Sequence, residues 1–424
     1  MRILDVCPCL PWPLNSGGNA GVFSSLKYLS EDHDFTLVCP IYDERQVPDA
    51  DQLQAELPRV KVRVVHCFES APKPSLPVSA ARKAARFGRR MLMPPPQIQN
   101  GATNSPQYPF NPLPKKLIVA IHEEVQRGVD LFQLEFAEML PLAAWLPKNI
   151  PKLFVHHQIH FVYAERFAET RPDDSYSRYL TEVMRVQEHL HLRDYDAVIT
   201  MSEQDRQVLL PYVRAEQVFA SPSPIPSDVK ITEDNPPAFD GRFLFVASED
   251  HAPNVDAFKW LLAEIWPAIL QKLPNSKLYV VGKWSEAAKT QSSSQSVIFT
   301  GFVPDLAKTL RGGILLVPLR IGSGIRMKIM VAMALGVPVV STSVGGEGML
   351  LKDGEHLLVG DSVKEFADAA VRLSKDPALH RRLAEAGRAI VSKNFSPEGF
   401  RRRRNEIYAV LAGSGGRSPQ KPRG

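Results

Sequence analysis

Short apolar runs alternate with longer segments of helical period along most of the chain. In the first half, residues 3–7, 35–39, 60–66, 131–135, 153–155 and 197–201 read as buried strands. Helical patterns cover 21–29, 116–127 and 175–193. A stretch from Ser221 through Pro237, dense in Pro and Ser, reads as a linker. The pattern then restarts, with strands at 243–247, 277–281, 297–300, 314–317, 339–341 and 357–359. Helices at 254–270, 306–311, 325–335, 363–374 and 377–394 accompany them. Apolar runs joined by helical crossovers predict parallel sheets covered on both faces. The fold class is therefore α/β, with two Rossmann-like, doubly wound domains facing across a cleft. Ligands of such sheets sit beyond the carboxyl ends of the strands, so the cleft is the expected site.

The expected boundaries are 1–222 for the first domain and 238–395 for the second. A terminal helix follows over 396–412, then a Gly/Ser/Pro/basic tail over 413–424. Residues 70–112 break the alternation as a Pro-rich and polar insertion. It carries a basic run, Arg82 to Arg90, followed by Met91-Leu92-Met93, which reads either as a helix resting on anionic lipid or as a solvated loop.

A length of 424 residues is enough for two cores. The formal charge of +5 suits anionic small ligands or a membrane surface and is too weak for a nucleic-acid reader. Cys7, Cys9, Cys39 and Cys67 lie in apolar runs without metal-site spacing, and read as reduced core residues of a cytosolic protein. Asp5 and Pro8 interrupt any signal-peptide core, and no run approaches 18 apolar residues. The expectation is a cytoplasmic protein, peripheral at the inner face of a membrane.

The most informative stretch runs from Leu315 to Ser341. A buried strand ends near Pro318, the loop Gly322-Ser323-Gly324 follows, and a helix is expected from about Ile325. A helix N-terminus offers unpaired N–H groups and partial positive charge, and glycines let a ligand approach the backbone. Arg326 and Lys328 fall in that first turn, where a cation is unfavourable by roughly 0.3–1 kcal/mol. A diphosphate bound there would account for both.

This stretch resembles the donor-binding region of retaining GT-B glycosyltransferases related to glycosyltransferase family 4, in the branch reading PLR-x-GSG-x-R-x-K. Supporting pieces follow in the family's order: Pro11 to Gly18, Phe245 to Ser248 with Pro253 to Asp256, Val280 to Gly282, Phe299 to Pro304 and Ser343 to Gly348. The resemblance implies that Gly17 and Gly18 approach donor or acceptor, and that Ser248 and Asn254 belong to the donor domain's binding edge. It implies that Arg326, Lys328 and the Gly322–Gly324 amides neutralise a departing diphosphate without metal or other cofactor. His157 matches a histidine placed near the donor sugar, with His156 and His160 as alternatives. Glu135 is either an acceptor contact or a surface carboxylate. The terminal helix is expected to cross back onto the first domain.

One departure stands out. The family's pair of glutamates falls on Ser323 and Val331, so the ribose loses its usual acceptor, and Glu347 is the candidate replacement. The implied activity is transfer from a UDP- or GDP-sugar to a glycan, lipid-linked or other cell-surface acceptor. The alternatives are a non-catalytic sugar-nucleotide-binding relative and a sugar-nucleotide epimerase of the same fold. A dinucleotide oxidoreductase is disfavoured, since the first turn reads Gly17-Gly18-Asn19-Ala20-Gly21 and not G-x-G-x-x-G.

Overall fold

The computed structural model describes residues 1–68, 110–231, 235–291, 294–303 and 305–414. The basic run 82–93 and the end of the chain from 415, for which membrane contact and a tail were expected, lie outside these residues. The first sheet contains β1 (Arg2–Val6), β2 (Asp34–Ile41), β3 (Lys61–His66), β4 (Leu131–Glu135), β5 (Lys152–His156), β6 (Ala197–Thr200) and β7 (Val218–Ala220). Their order is β3-β2-β1-β4-β5-β6-β7. The second contains β8 (Arg242–Val246), β9 (Lys277–Val281), β10 (Val297–Gly301), β11 (Ile314–Val317), β12 (Val339–Ser341) and β13 (Leu358–Val359), in the order β10-β9-β8-β11-β12-β13. All pairings are parallel; Ile3, for example, stands opposite both Phe35 and Leu131. The order reverses at β1/β4 and at β8/β11, which creates two switch-point crevices at the carboxyl ends.

Burial explains why these runs are strands. Ile3, Leu4 and Val6 of β1 and Ile314 to Val317 of β11 are almost inaccessible, as sheets covered on both faces require. The helices carry their own start signals. Ser362 and Glu365 form a reciprocal capping box at Val363–Lys375, and Asp376 caps Pro377–Asn394 with proline in the first turn.

Several boundaries differ from the sequence reading. The helix read over 254–270 runs from Ala252 to Lys272 and contains a π turn at Leu261–Ile265. Pro267 lies two positions beyond it, and its missing N–H cannot serve an α-helical ladder. The helices Val47–Glu56, His160–Glu169 and Glu203–Leu209 and the three-residue β7 were not read from the pattern. Cys9 is exposed and Cys67 half-buried, so only Cys7 and Cys39 are core thiols.

The composition-based linker is a packed segment. Ile225 is buried, its amide donates to the Phe395 carbonyl (2.9 Å), and the Ser227 amide donates to Ser24 Oγ (3.1 Å). The helix Pro397–Ser414 lies on the first domain, where Phe400, Ile407, Tyr408 and Leu411 join the cluster around Phe23, Leu26 and Phe35. Arg401 adds ion pairs to Glu31 and Asp32. Among the described residues, no helix is long and apolar enough to cross a membrane.

Candidate functional site

Beyond the carboxyl end of β11 the chain enters the loop Gly322–Gly324. Gly324 holds φ = 74°, and a Cβ there would stand 2.6 Å from the His157 carbonyl oxygen. Only glycine permits that approach of the two domains. Ser323 is buried, and its hydroxyl exchanges hydrogen bonds with the amide (2.8 Å) and carbonyl (3.2 Å) of Ile159.

The helix begins at Met327, two residues later than read, with Arg326 as its N-cap and no side chain capping its amides. The Arg326 guanidinium curls back, donating to the carbonyls of Ser323 (2.5 Å), Gly324 (2.9 Å) and Val344 (3.3 Å). Burial lowers it to about 10, and the charge of Arg166 works the same way, against Glu347 and Asp205. Lys328 donates to Asn254 Oδ1 (3.1 Å) and lies over the Phe245 ring. Burial, with Arg326 adding, pushes Lys328 down to about 7. Neither cation forms an ion pair with a carboxylate among the described residues.

Asn254 ties this cation to the second domain's first crossover. Its Nδ2 donates to the Ser248 carbonyl (3.0 Å), while the Ser248 hydroxyl donates to Asp250. His251, which immediately precedes the helix Ala252–Trp260, was missed in the sequence. Desolvation first, then Lys328 and Arg326, lower its imidazole to about 4. Its place two residues before the Pro253-Asn254 turn was the available signal.

From the first domain, Ser16 caps the helix Gly17–Leu29 by accepting from the Asn19 amide. A Cβ on Gly17 would touch Met327 Cγ (3.1 Å), and one on Gly18 would touch the Phe136 ring (3.1 Å). The glycine turn of one domain thus abuts the helix start of the other. Phe136 has φ = 67° and stacks on the His157 ring at 4.2 Å between centroids. His157 Nε2 lies 2.5 Å from Glu135 Oε2. Glu135 is 1% exposed, so it is a partner of His157 and not a surface carboxylate. His156 turns inward to Glu188 (2.9 Å), a buried carboxylate that also accepts from the amides of His160 and Phe161. Of the three histidines, His157 stands beside Gly324.

Glu347 is committed across the cleft. Its oxygens accept from Arg166 at 2.5 and 2.8 Å and from Gln204 Nε2 at 2.6 Å, while Arg166 also donates to the Gly322 carbonyl. A ribose hydroxyl would have to share this carboxylate with both. Arg166 and Gln204 were missed because the two short helices that carry them were not read. Val331, where the resemblance places the family's ribose glutamate, packs in the second domain's apolar core.

Known proteins share this architecture. Residues 240–376 match the family model described as glycosyl transferases group 1. N-acetyl-alpha-D-glucosaminyl L-malate synthase of Bacillus anthracis is 29% identical over 163 residues, which is 36% of this chain and 40% of that protein. The chain spans about 40% of the length of the curated relatives it matches. Over whole chains, sucrose-phosphate synthase of Thermosynechococcus elongatus superposes with a TM-score of 0.68 at 17% identity, covering 97% of this chain and 99% of that one. Anabaena HepE in complex with UDP and glucose gives 0.64 at 15%, covering 96% and 99%. The fold is GT-B. In GT-B terms, the β11 loop, the helix from Met327 and the Ser248–Asn254 edge belong to the second domain, and Gly17, Gly18 and His157 to the first.

Proposed function

We propose that this chain is a glycosyltransferase that moves a sugar from a UDP- or GDP-sugar to a glycan, lipid-linked or other cell-surface acceptor, with retention at the anomeric carbon. The observation that carries the reading is the pair Arg326 and Lys328, two basic side chains at an uncapped helix N-terminus in the cleft with no carboxylate ion-pair partner among the described residues. Burial disfavours the charged forms of both, and an anion that joins them would restore those charges. A nucleoside diphosphate supplies that anion, and its charge grows as the glycosidic C–O bond breaks. Preorganised cations and backbone amides then act most strongly on the transition state, which is the condition for catalysis. They also supply charge that a metal would otherwise provide.

UDP-glucose as a donor is supported by HepE, a whole-chain structural neighbour solved with that ligand. The family-4-like branch, retention and the hexosyl group rest on the resemblance of the GSG-x-R-x-K stretch.

A panel of nucleotide sugars in a thermal-shift assay tests this. The correct donor should raise the midpoint, since a ligand at 100 times its Kd adds about 2.7 kcal/mol. Arg326→Ala and Lys328→Ala should each lose that shift and lower turnover by about 100-fold or more. Wild-type turnover in both variants would remove the leaving-group assignment.

Val331 favours a second reading, a non-catalytic binder of sugar nucleotides, because its side chain offers the ribose no acceptor. A donor that shifts the midpoint without ever being hydrolysed or transferred would select it.

A further inference from the structure

A chain of buried polar side chains runs from the terminal helix to His157. Tyr408 Oη donates to Gln133 Oε1 (2.6 Å). Gln133 Nε2 donates to Asp5 Oδ2 (2.9 Å) and to Glu135 Oε1 (2.8 Å). The other oxygen of Glu135 faces His157 Nε2. Asp5, Gln133, Glu135 and Tyr408 are each 0–1% exposed. So is Arg404, one helical turn before Tyr408, which faces Asp5 electrostatically.

Such a network is costly to bury unless its members satisfy one another, and here each fixes the donor or acceptor of the next. The amide of Gln133 has one oxygen and one nitrogen; Tyr408 takes the oxygen, so the nitrogen must face the two carboxylates. Glu135, held at Oε1, presents Oε2 to His157. A carboxylate only accepts, so the proton of the neutral imidazole sits on Nε2. Nδ1 is left as a lone-pair acceptor without a partner among the described residues. Phe136, stacked on the ring, fixes its plane, and Gly18 makes room for Phe136. Burial, with Glu135 adding, drives Asp5 towards its neutral form, so the pair of acids carries less than two charges beside Arg404.

We propose that Gln133 and Tyr408 are positioning residues. Through Glu135 they lock His157 as the Nε2–H tautomer, so that Nδ1 faces the cleft as an acceptor for a hydroxyl group. The terminal helix, although its sequence lies beyond both domains, thereby completes the site of the first. This rests on reading His157 as a substrate-facing residue of the proposed glycosyl transfer.

The experiment uses the full chain with ¹⁵N-labelled histidine. Long-range ¹H–¹⁵N spectra read the tautomer of His157, assigned by comparison with His157→Gln. The wild type should show Nε2 protonated and Nδ1 bare. Gln133→Leu and Tyr408→Phe should move both resonances towards a tautomer mixture and lower kcat about tenfold, with the donor's thermal shift retained. Should Gln133→Leu fail to fold, Tyr408→Phe, which deletes one oxygen, decides alone. His157 resonances identical to wild type in the folded variants would overturn the proposal. The tautomer readout needs no activity, so it stands or falls separately from the assigned reaction.

Discussion

Arg166 of the first domain and Glu347 of the second form a two-pronged ion pair across the cleft, at 2.5 and 2.8 Å, with side chains 23% and 14% exposed. Half-buried and bidentate, it is stronger than an ordinary surface pair. It joins the Ser323–Ile159 hydrogen bonds in holding the domains together where Gly324 lies against the His157 backbone and the donor is proposed to bind.

Arg166→Ala should therefore loosen closure. Charged hydrogen bonds of this kind contribute about 1.5–3 kcal/mol. The radius of gyration from small-angle scattering should rise in the free variant and return towards wild type when donor is added. An unchanged radius would mean that packing at Gly324 suffices for closure.

Lys328 should make the proposed donor binding pH-dependent. Its folded value, about 7, lies below the ordinary 10.5, so between those limits the unfolded chain holds a proton the folded chain lacks. Stability accordingly rises with pH through that window, and the full penalty applies below pH 7. Lys328→Met should melt higher than wild type at pH 6, with the difference shrinking by pH 9.5. A bound diphosphate favours the charged amine. Calorimetry in two buffers of different ionisation enthalpy should show proton uptake on donor binding at pH 8, and affinity should weaken as pH climbs above 7.

Gly324→Ala should uncouple fold from function. The new Cβ meets the His157 carbonyl at 2.6 Å, and the backbone sits at φ = 74°. Strain of order 1–3 kcal/mol falls on a loop between domains and leaves both cores untouched. Circular dichroism should match wild type while donor-induced stabilisation is lost.

Phe400 is 0% exposed and anchors the terminal helix to the first domain. Its replacement by alanine should cost about 3–5 kcal/mol. Hydrogen exchange should accelerate selectively over Pro397–Ser414 and over β4, which the helix reaches through Tyr408 and Gln133. Uniform acceleration over both domains would instead indicate a global loss of stability.

The sequence carried what is local. The neighbourhood of Arg326, Lys328 and the two glycines was legible because a strand end, a glycine loop and a helix start occupy neighbouring positions, although the helix starts at Met327 and leaves Arg326 at its N-cap, outside the first turn where it was expected. The parallel sheets followed from runs such as Ile314–Val317 for the same reason. Partnerships between distant segments were not legible. His157 and Glu135 are 22 positions apart, and Arg166 and Glu347 are 181 apart. Their pairing depends on β4 lying beside β5 and on how the two domains close, which no local period encodes. Glu347 could be singled out as a carboxylate in a glycine turn, but the arginine that occupies it could not.

The bond from the Ile225 amide to the Phe395 carbonyl has a mechanical consequence. The polypeptide passes between the domains twice, outward before β8 and back before Pro397, and the two passages are fastened to each other at that point. A single strand would let one half swivel freely about the other. A doubled strap should resist torsion more than bending, so a hinge-like opening is the expected soft motion. An opening of that kind would bring Gly324 back to His157 in a single register.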